Sequence, residues 1–533
     1  MIRALLTAEV DLLWFGGIGT FVKAHDESHA DAGDKANDAV RVDARELRVR
    51  VIGEGANLAM TQPARVEAAL RRGIRLNTDA IDNSAGVDCS DHEVNIKILL
   101  GDVVASGDLT LKQRNQVLVD LTDEVAALVL SDNYLQVQAL SAAEANAAER
   151  IDEHARFMRA LERTGRLNRA VERLPDDEAL AERKKERQGL TRPELAVLLA
   201  YAKITLYDEL LASDLPDDPW MAGDLVRYFP HRLHQRFPEA LARHRLRREI
   251  IATSVTNSLV NRAGPAFVRE MIDKTGAQPG DIARAYAVVR EVFGLRPLWQ
   301  EIEDLDGTVA VACQITLIQE TQGLLERAVA WFLGHGRQPL DIAAEIRGHR
   351  PGLEALDHGL EDLLGAGERV VLAERIAGLT GRGVPAGLAR RVGLLPVLAP
   401  VMDVVRIATA RNAGITAVAG IYYQLGERFG LNWLRRRAQR IPAGDHWQFQ
   451  AVNAMVDDLH GQQTDLTWRV MEGMAMEGGD PGTATGVIDR WSQGRQAAVD
   501  RVALLLAELR AVPDLDLARL AVASRQIRAL TGS

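Results

Sequence analysis

The sequence predicts a partial parallel α/β sheet at the start of the chain, followed by a large, mainly α-helical region. Three observations predict it. Three short apolar runs within the first hundred of 533 residues each end in a cluster of glycine or asparagine. The segment between the second and third runs has helical character. From about Leu109 onward, apolar residues recur at helical spacing instead.

The first run, Val10-Asp11-Leu12-Leu13-Trp14-Phe15, passes into Gly16-Gly17-Ile18-Gly19. The second, residues 47–53, passes into Glu54-Gly55-Ala56-Asn57. The third, residues 74–79, ends at Asp82-Asn83-Ser84-Ala85-Gly86. Between the last two, residues 63–70 read as a crossover helix, with Pro63 in the first turn, where its missing N–H costs nothing. Strand, turn, helix, strand is the order of a parallel sheet. Ligands of such sheets sit beyond the carboxyl ends of the strands, so the three polar ends should converge on one crevice.

Val117, Leu118, Leu121, Val125, Leu128 and Val129 trace the first long helical face. Thr191-Arg192-Pro193-Glu194 spells a capping box that opens the apolar run 195–211. Similar faces recur over 241–259, 307–332, 353–379 and 499–509. The division expected is therefore 1–108 and 109–533, the latter subdivided near 214–219 and 478–482, where Gly, Asp and Pro cluster. No fixed-period repeat is present, which argues against a solenoid.

Composition narrows the function classes. With 47% hydrophobic residues the chain can bury a substantial core. A net charge of −10 argues against nucleic acid as a partner, since a phosphate backbone needs a basic surface. Basic runs such as Arg435-Arg436-Arg437 read as solvated helix faces. Cys89 and Cys313 are the only cysteines, too few for a disulfide framework or a thiolate zinc site, which fits a reducing cytoplasm. The first residues lack the apolar core of a secretory signal. The most apolar stretch, 394–407, is broken by Pro396, Pro400, Asp403 and Arg406 and falls short of the roughly 20 residues that span a bilayer. It reads as a buried helix, and no membrane partner is expected.

Val51-Ile52-Gly53-Glu54-Gly55-Ala56-Asn57 resembles the E-G-A-N strand end of glutamate-type amino-acid dehydrogenases. Asn83-Ser84-Ala85-Gly86-Val87-Asp88-Cys89-Ser90-Asp91-His92-Glu93 resembles the N-A-G-G-V-x-x-S-x-x-E element of their small hexameric members. More specifically, Leu12-Leu13-Trp14-Phe15-Gly16-Gly17-Ile18-Gly19-Thr20, Asp26-Glu27-Ser28-His29-Ala30-Asp31, the stretch 77–90 and Thr191-Arg192-Pro193-Glu194-Leu195-Ala196 look like the large bacterial NAD-glutamate dehydrogenases. The resemblance implies that 1–108 is the C-terminal half of a Rossmann-like NAD-binding catalytic domain and 109–533 a helical C-terminal region. It implies a homo-oligomeric full-length enzyme that oxidises L-glutamate to 2-oxoglutarate and ammonia with NAD.

It further implies that Asn57 and Asn83 bond the nicotinamide ribose and carboxamide. Gly55, Ala56, Ala85 and Gly86 would keep the strand ends small for close approach, and Ser90 would contact the side-chain carboxylate of glutamate. Two departures stand out: the small enzymes' N-A-G-G is here Asn83-Ser84-Ala85-Gly86, and no G-x-G-x-x-G turn follows a strand. No substrate-domain lysines precede the first strand either, so the expectation is a fragment whose catalytic residues lie upstream and which is inactive alone. Two other readings compete: a non-catalytic helical interaction or oligomerisation module, and an amino-acid dehydrogenase of other specificity, against which the hydroxyl at Ser90 argues.

Each candidate also has a plainer reading. Asn57 and Asn83 could cap turns, and Ser90, with Glu93 three residues on, could be a helix N-cap. Gly16, Gly17 and Gly19 lack the third glycine and the lysine of a phosphate loop. His25 and His29 stand four apart without the glutamate of a zinc helix, so no metal is expected. Cys89 has no evident base and reads as a packing residue.

Overall fold

The computed structural model describes residues 1–357, 359–441, 446–477 and 483–531. Four short strands form among them: β1 (Leu12–Phe15), β2 (Val22–Lys23), β3 (Val42–Asp43) and β4 (Val51–Glu54). β1 pairs with β4 in parallel, with Leu12 opposite Val51 and Phe15 opposite Glu54. β2 pairs with β3, also in parallel, and a single bridge joins Val22 to Met60. Phe15, Val22, Val42, Leu47, Val49, Ile52, Met60 and Leu76 form the core beneath them. Leu47 and Val49, expected within the second strand, reach that core from an unpaired stretch.

The third expected strand is reduced to one parallel bridge between Val51 and Arg75. Its polar residues are taken up locally. The Asn77 amide donates to Asp82 Oδ1 at 2.7 Å, and Asp79 accepts from the N–H groups of Leu58 and Ala80 at 2.8 and 2.9 Å. The chain therefore turns at Thr78 into a one-turn helix, Asp79–Asp82. Likewise, the expected turn at 82–86 is the start of a 22-residue helix, Ser84–Ala105. The crossover helix does form, as Gln62–Arg72. The Thr61 hydroxyl accepts from the Ala64 N–H, Pro63 sits in the first turn, and Gly73 ends the helix in the left-handed region at φ 62°.

The chain divides into two compact units, residues 1–286 with 333–339, and 287–332 with 340–533. In the first, the helices Ser84–Ala105, Thr122–Ala145, Arg192–Ala212 and Arg247–Ala263 pack on one another. The capping box expected at Thr191 is present, with the Thr191 N–H donating to Glu194 Oε2 at 2.7 Å. The buried Glu194 carboxylate also receives both arms of Arg183, at 2.7 and 2.9 Å. Arg192 binds Asn77 Oδ1 at 2.5 Å, Ser141 Oγ at 3.0 Å and the Val137 carbonyl at 3.1 Å. One motif thus starts a helix and fastens it to the strand region. The cluster at 214–219 forms the tight turns Leu215–Asp217 and Pro219–Met221; the one at 478–482 lies outside the described residues.

The second unit is helical throughout its described residues, around a core that includes Val404, Ile407, Val418, Tyr422, Leu434, Leu459, Leu466 and Leu520. No single helix among the described residues is long and apolar enough to cross a membrane. Ala386–Leu398 and Val401–Arg411 would qualify only as a pair bent by 60°. Their Leu394, Val401, Val404 and Ile407 belong to that core, as a buried segment requires.

Candidate functional site

The site is built where β4 ends. Gly53 and Gly55 lie under the Trp14 ring of β1; a Cβ at either would meet ring carbons at 2.4 and 2.5 Å. The glycines therefore make room for an indole of this chain. The Ala56 N–H returns to the Phe15 carbonyl at 3.0 Å, which keeps the loop on the sheet. Leu58 follows with φ 63°, a left-handed conformation that costs a leucine on the order of 1 kcal/mol or more and is held by the bond from its N–H to Asp79. This turn presents Asn57 outward.

Asn83, at the N-terminus of the Ser84–Ala105 helix, donates its amide to Asn57 Oδ1. The two asparagines that sequence placed at successive strand ends thus meet side chain to side chain. Together they form the lip of a cavity of about 710 Å³. The Gly16–Gly19 turn does not line it, so two of the three ends converge and the first does not. Gly86 and Ser90 lie on the same helix as Asn83 but are exposed and outside the cavity lining. Ser90 sits in the second turn of that helix, so it cannot be its N-cap; its hydroxyl donates to the Val87 carbonyl at 2.7 Å. Cys89 is exposed and free, not packed.

Behind the lip, polar side chains stand among Leu58, Ala80 and Val87. One helix contributes Ser84, Asp88 and Asp91, and Thr122–Ala145 contributes Asp132, Asn133 and Gln136. From farther along the chain come Lys203, Asn257 and Asn261. Lys203 Nζ donates to Gln136 Oε1 at 3.1 Å. Burial pulls its ammonium down to about 8, against the attraction of Asp132 and Asp88. Burial lifts the Asp88 carboxyl to about 6, the Asp132 charge adds to the lift, and His92 opposes it. Tyr228 receives the Asn95 amide and donates to Asp91, both at 2.8 Å. Burial raises its phenol well above the ordinary value.

Glu54, the acid of the E-G-A-N stretch, points away from the cavity into a buried pair with Arg65, at 2.6 and 2.8 Å, and Arg65 also reaches Asp79 at 3.2 Å. That pair holds the crossover helix against the end of β4. His25 and His29 serve different partners, Glu67 at 3.0 Å and Arg41 at 2.9 Å.

The polar lining was not singled out from sequence, although a signal exists. Ser84, Asp88 and Asp91 recur at helical spacing, as do Asp132, Asn133 and Gln136, and Asn257 and Asn261 stand four apart on one helix. Such stripes inside a packed bundle mark a lined cavity.

The profile of the family described as "Glutamate dehydrogenase, C-terminal" matches residues 187–529, and that of "Bacterial NAD-glutamate dehydrogenase, catalytic domain" matches residues 1–143. Three curated relatives are each named NAD-specific glutamate dehydrogenase. The chain is 45% identical over its whole length to the one from Pseudomonas aeruginosa, of which it covers 33%. It is 44% identical over 96% of its length to that of Halomonas elongata, covering 31% of that relative. To that of Mycobacterium tuberculosis it is 40% identical over its whole length, covering 32%. The chain thus spans about a third of the length of these relatives.

Proposed function

Because the chain belongs to the bacterial NAD-glutamate dehydrogenase family, we propose that it forms one wall of a site that oxidises L-glutamate to 2-oxoglutarate and ammonia with NAD. The observation that carries this reading is the meeting of Asn57 and Asn83 at the cavity lip. With one amide N–H and one carbonyl used between them, the pair still offers a donor on Asn57 and an acceptor on Asn83. That is the complement of a carboxamide, which itself carries one of each. The cavity volume falls in the range of small-molecule sites, roughly 300–1,000 Å³.

These residues fit the nicotinamide end of the cofactor. Asn57 and Asn83 would hold that end, and the cofactor would supply the acceptor for the hydride of the substrate's Cα. The protein's share is orientation: Asn57 and Asn83 fix the carboxamide, and the strained turn at Leu58 holds Asn57 in place. Ser90, exposed on the Ser84–Ala105 helix, is assigned to the side-chain carboxylate of glutamate through the family resemblance. The small parallel sheet is read as part of a Rossmann-like nucleotide domain, residues 1–108, followed by a helical region, and the enzyme as a cytoplasmic homo-oligomer. The chain spans about a third of the length of its relatives, and turnover is assigned to the longer enzyme that includes it.

In the enzyme that includes this chain, Ser90→Ala should raise KM for glutamate about tenfold, the worth of one hydrogen bond to a charged group, and leave KM for NAD unchanged. Unchanged glutamate kinetics would remove Ser90 from the site. The purified chain alone should produce no NADH from glutamate and NAD.

A further inference from the structure

Asp88 and Asp132 line the cavity, and their ligand-type atoms and that of the buried His92 all lie within 4.8 Å of one another. Asp88 and His92 are one turn apart on the Ser84–Ala105 helix; Asp132 comes from Thr122–Ala145. His92 is only 1% exposed, and its ring stacks on Tyr228 at 4.5 Å. Neither of its nitrogens has a hydrogen-bond partner among the described residues, and Oδ2 of Asp88 is buried without one as well. The His92 Nε2 faces both carboxylates, 3.9 Å from Asp88 Oδ1 and 3.8 Å from Asp132 Oδ2.

Those distances decide between two arrangements. A hydrogen bond from imidazole to carboxylate closes to roughly 2.7–3.2 Å, and neither contact does. Two ligands each about 2.1 Å from a shared ion stand roughly 3.4 Å apart in a tetrahedral shell, so both contacts are open by about half an ångström and close on an ion placed between them. Asp132 is half-exposed, so its carboxylate is free to close the remaining gap. The charge balance points the same way. Asp79 is paired with Arg65 and Asp91 receives Tyr228. Asp88 and Asp132 have no Lys or Arg within 4.0 Å among the described residues; Lys203, bonded to Gln136, attracts both only from farther off and offsets one of their two charges.

We propose that Asp88, His92 and Asp132 form a binding site for a divalent transition-metal ion of the zinc class. One imidazole and two carboxylates suit zinc, cobalt or manganese better than calcium, which prefers oxygen ligands alone. Three protein ligands leave at least one position open toward the cavity, where water or a ligand group completes the shell. The ion joins the helices Ser84–Ala105 and Thr122–Ala145 side by side. This site stands apart from the reading of Asn57 and Asn83 and holds whether or not that reading does.

Cobalt chloride is the probe, because Co²⁺ in a mixed nitrogen–oxygen site absorbs in the visible and reports its own ligands. Titrating the purified protein, stripped with chelator, should give one equivalent of visible absorption and a raised melting temperature, with zinc displacing the cobalt. Asp132→Asn, at a half-exposed position and therefore compatible with folding, and His92→Gln should each weaken binding at least tenfold while the metal-free melting temperature stays close to wild type. Lys203→Met should tighten binding several-fold by removing the competing positive charge. Absence of a stoichiometric cobalt spectrum below millimolar concentration, or equal affinity in Asp132→Asn and wild type, would overturn the proposal.

Discussion

Arg65 and Glu54 form the most consequential side-chain pair of the strand region, because both are buried and each is the other's bidentate partner. Arg65→Ala should destabilise the first unit by about 3–5 kcal/mol, since it leaves a carboxylate buried without its counter-charge. The double variant Glu54→Leu with Arg65→Met should recover most of that loss in denaturant unfolding. Additive losses would show that the pair is not a unit. His154 sets a pH dependence. It is buried, and burial depresses its imidazole to about 3 from an ordinary 6.5. The folded state therefore keeps it neutral while the unfolded state gains a proton. Its contribution is intact above about pH 6.5 and is lost as pH falls toward 3, at up to about 1.4 kcal/mol per pH unit. His154→Leu should flatten the acid limb of a stability–pH curve between pH 6 and 4; an unaltered slope would assign that limb to other groups.

At the scale of elements, caps carry the argument. Thr191→Ala should cost about 1 kcal/mol, the usual worth of an N-cap hydroxyl. Glu194→Ala should cost distinctly more, because it also strands Arg183. Equal losses in thermal unfolding would contradict that order. This capping box was legible in the sequence, and so was the crossover helix behind Pro63, because both signals are local and the structure honours them. The third strand was not legible as it stands. Ile74 and Leu76 do face the core, as a strand's apolar residues would. What ends the ladder after Arg75 is the commitment of Asn77 to Asp82 and Arg192, and Arg192 lies more than a hundred residues away. Periodicity reports burial, but it cannot report a partner supplied from so far along the chain. Ser90 failed as an N-cap for a related reason: the helix had already begun at Ser84, and its first turns carry alanine and glycine, which display no apolar periodicity.

For the molecule as a whole, the first unit runs from the strands through helices as far as Tyr286. Its cavity is completed by Lys203, Asn257 and Asn261. The lip of that cavity, Asn57 and Asn83, was readable because short motifs carry it. The walls were harder to assemble, since their polar stripes lie on four helices that only folding brings together. The central claim concerns the lip, and a double-mutant cycle in kcat/KM for NAD, measured on the enzyme that includes this chain, tests it most directly. Asn57→Ala and Asn83→Ala should each lower kcat/KM about tenfold or more with little change in melting temperature, and the double variant should lose much less than the product of the two, as expected of a pair acting as one group. Wild-type kcat/KM in both single variants would contradict the account.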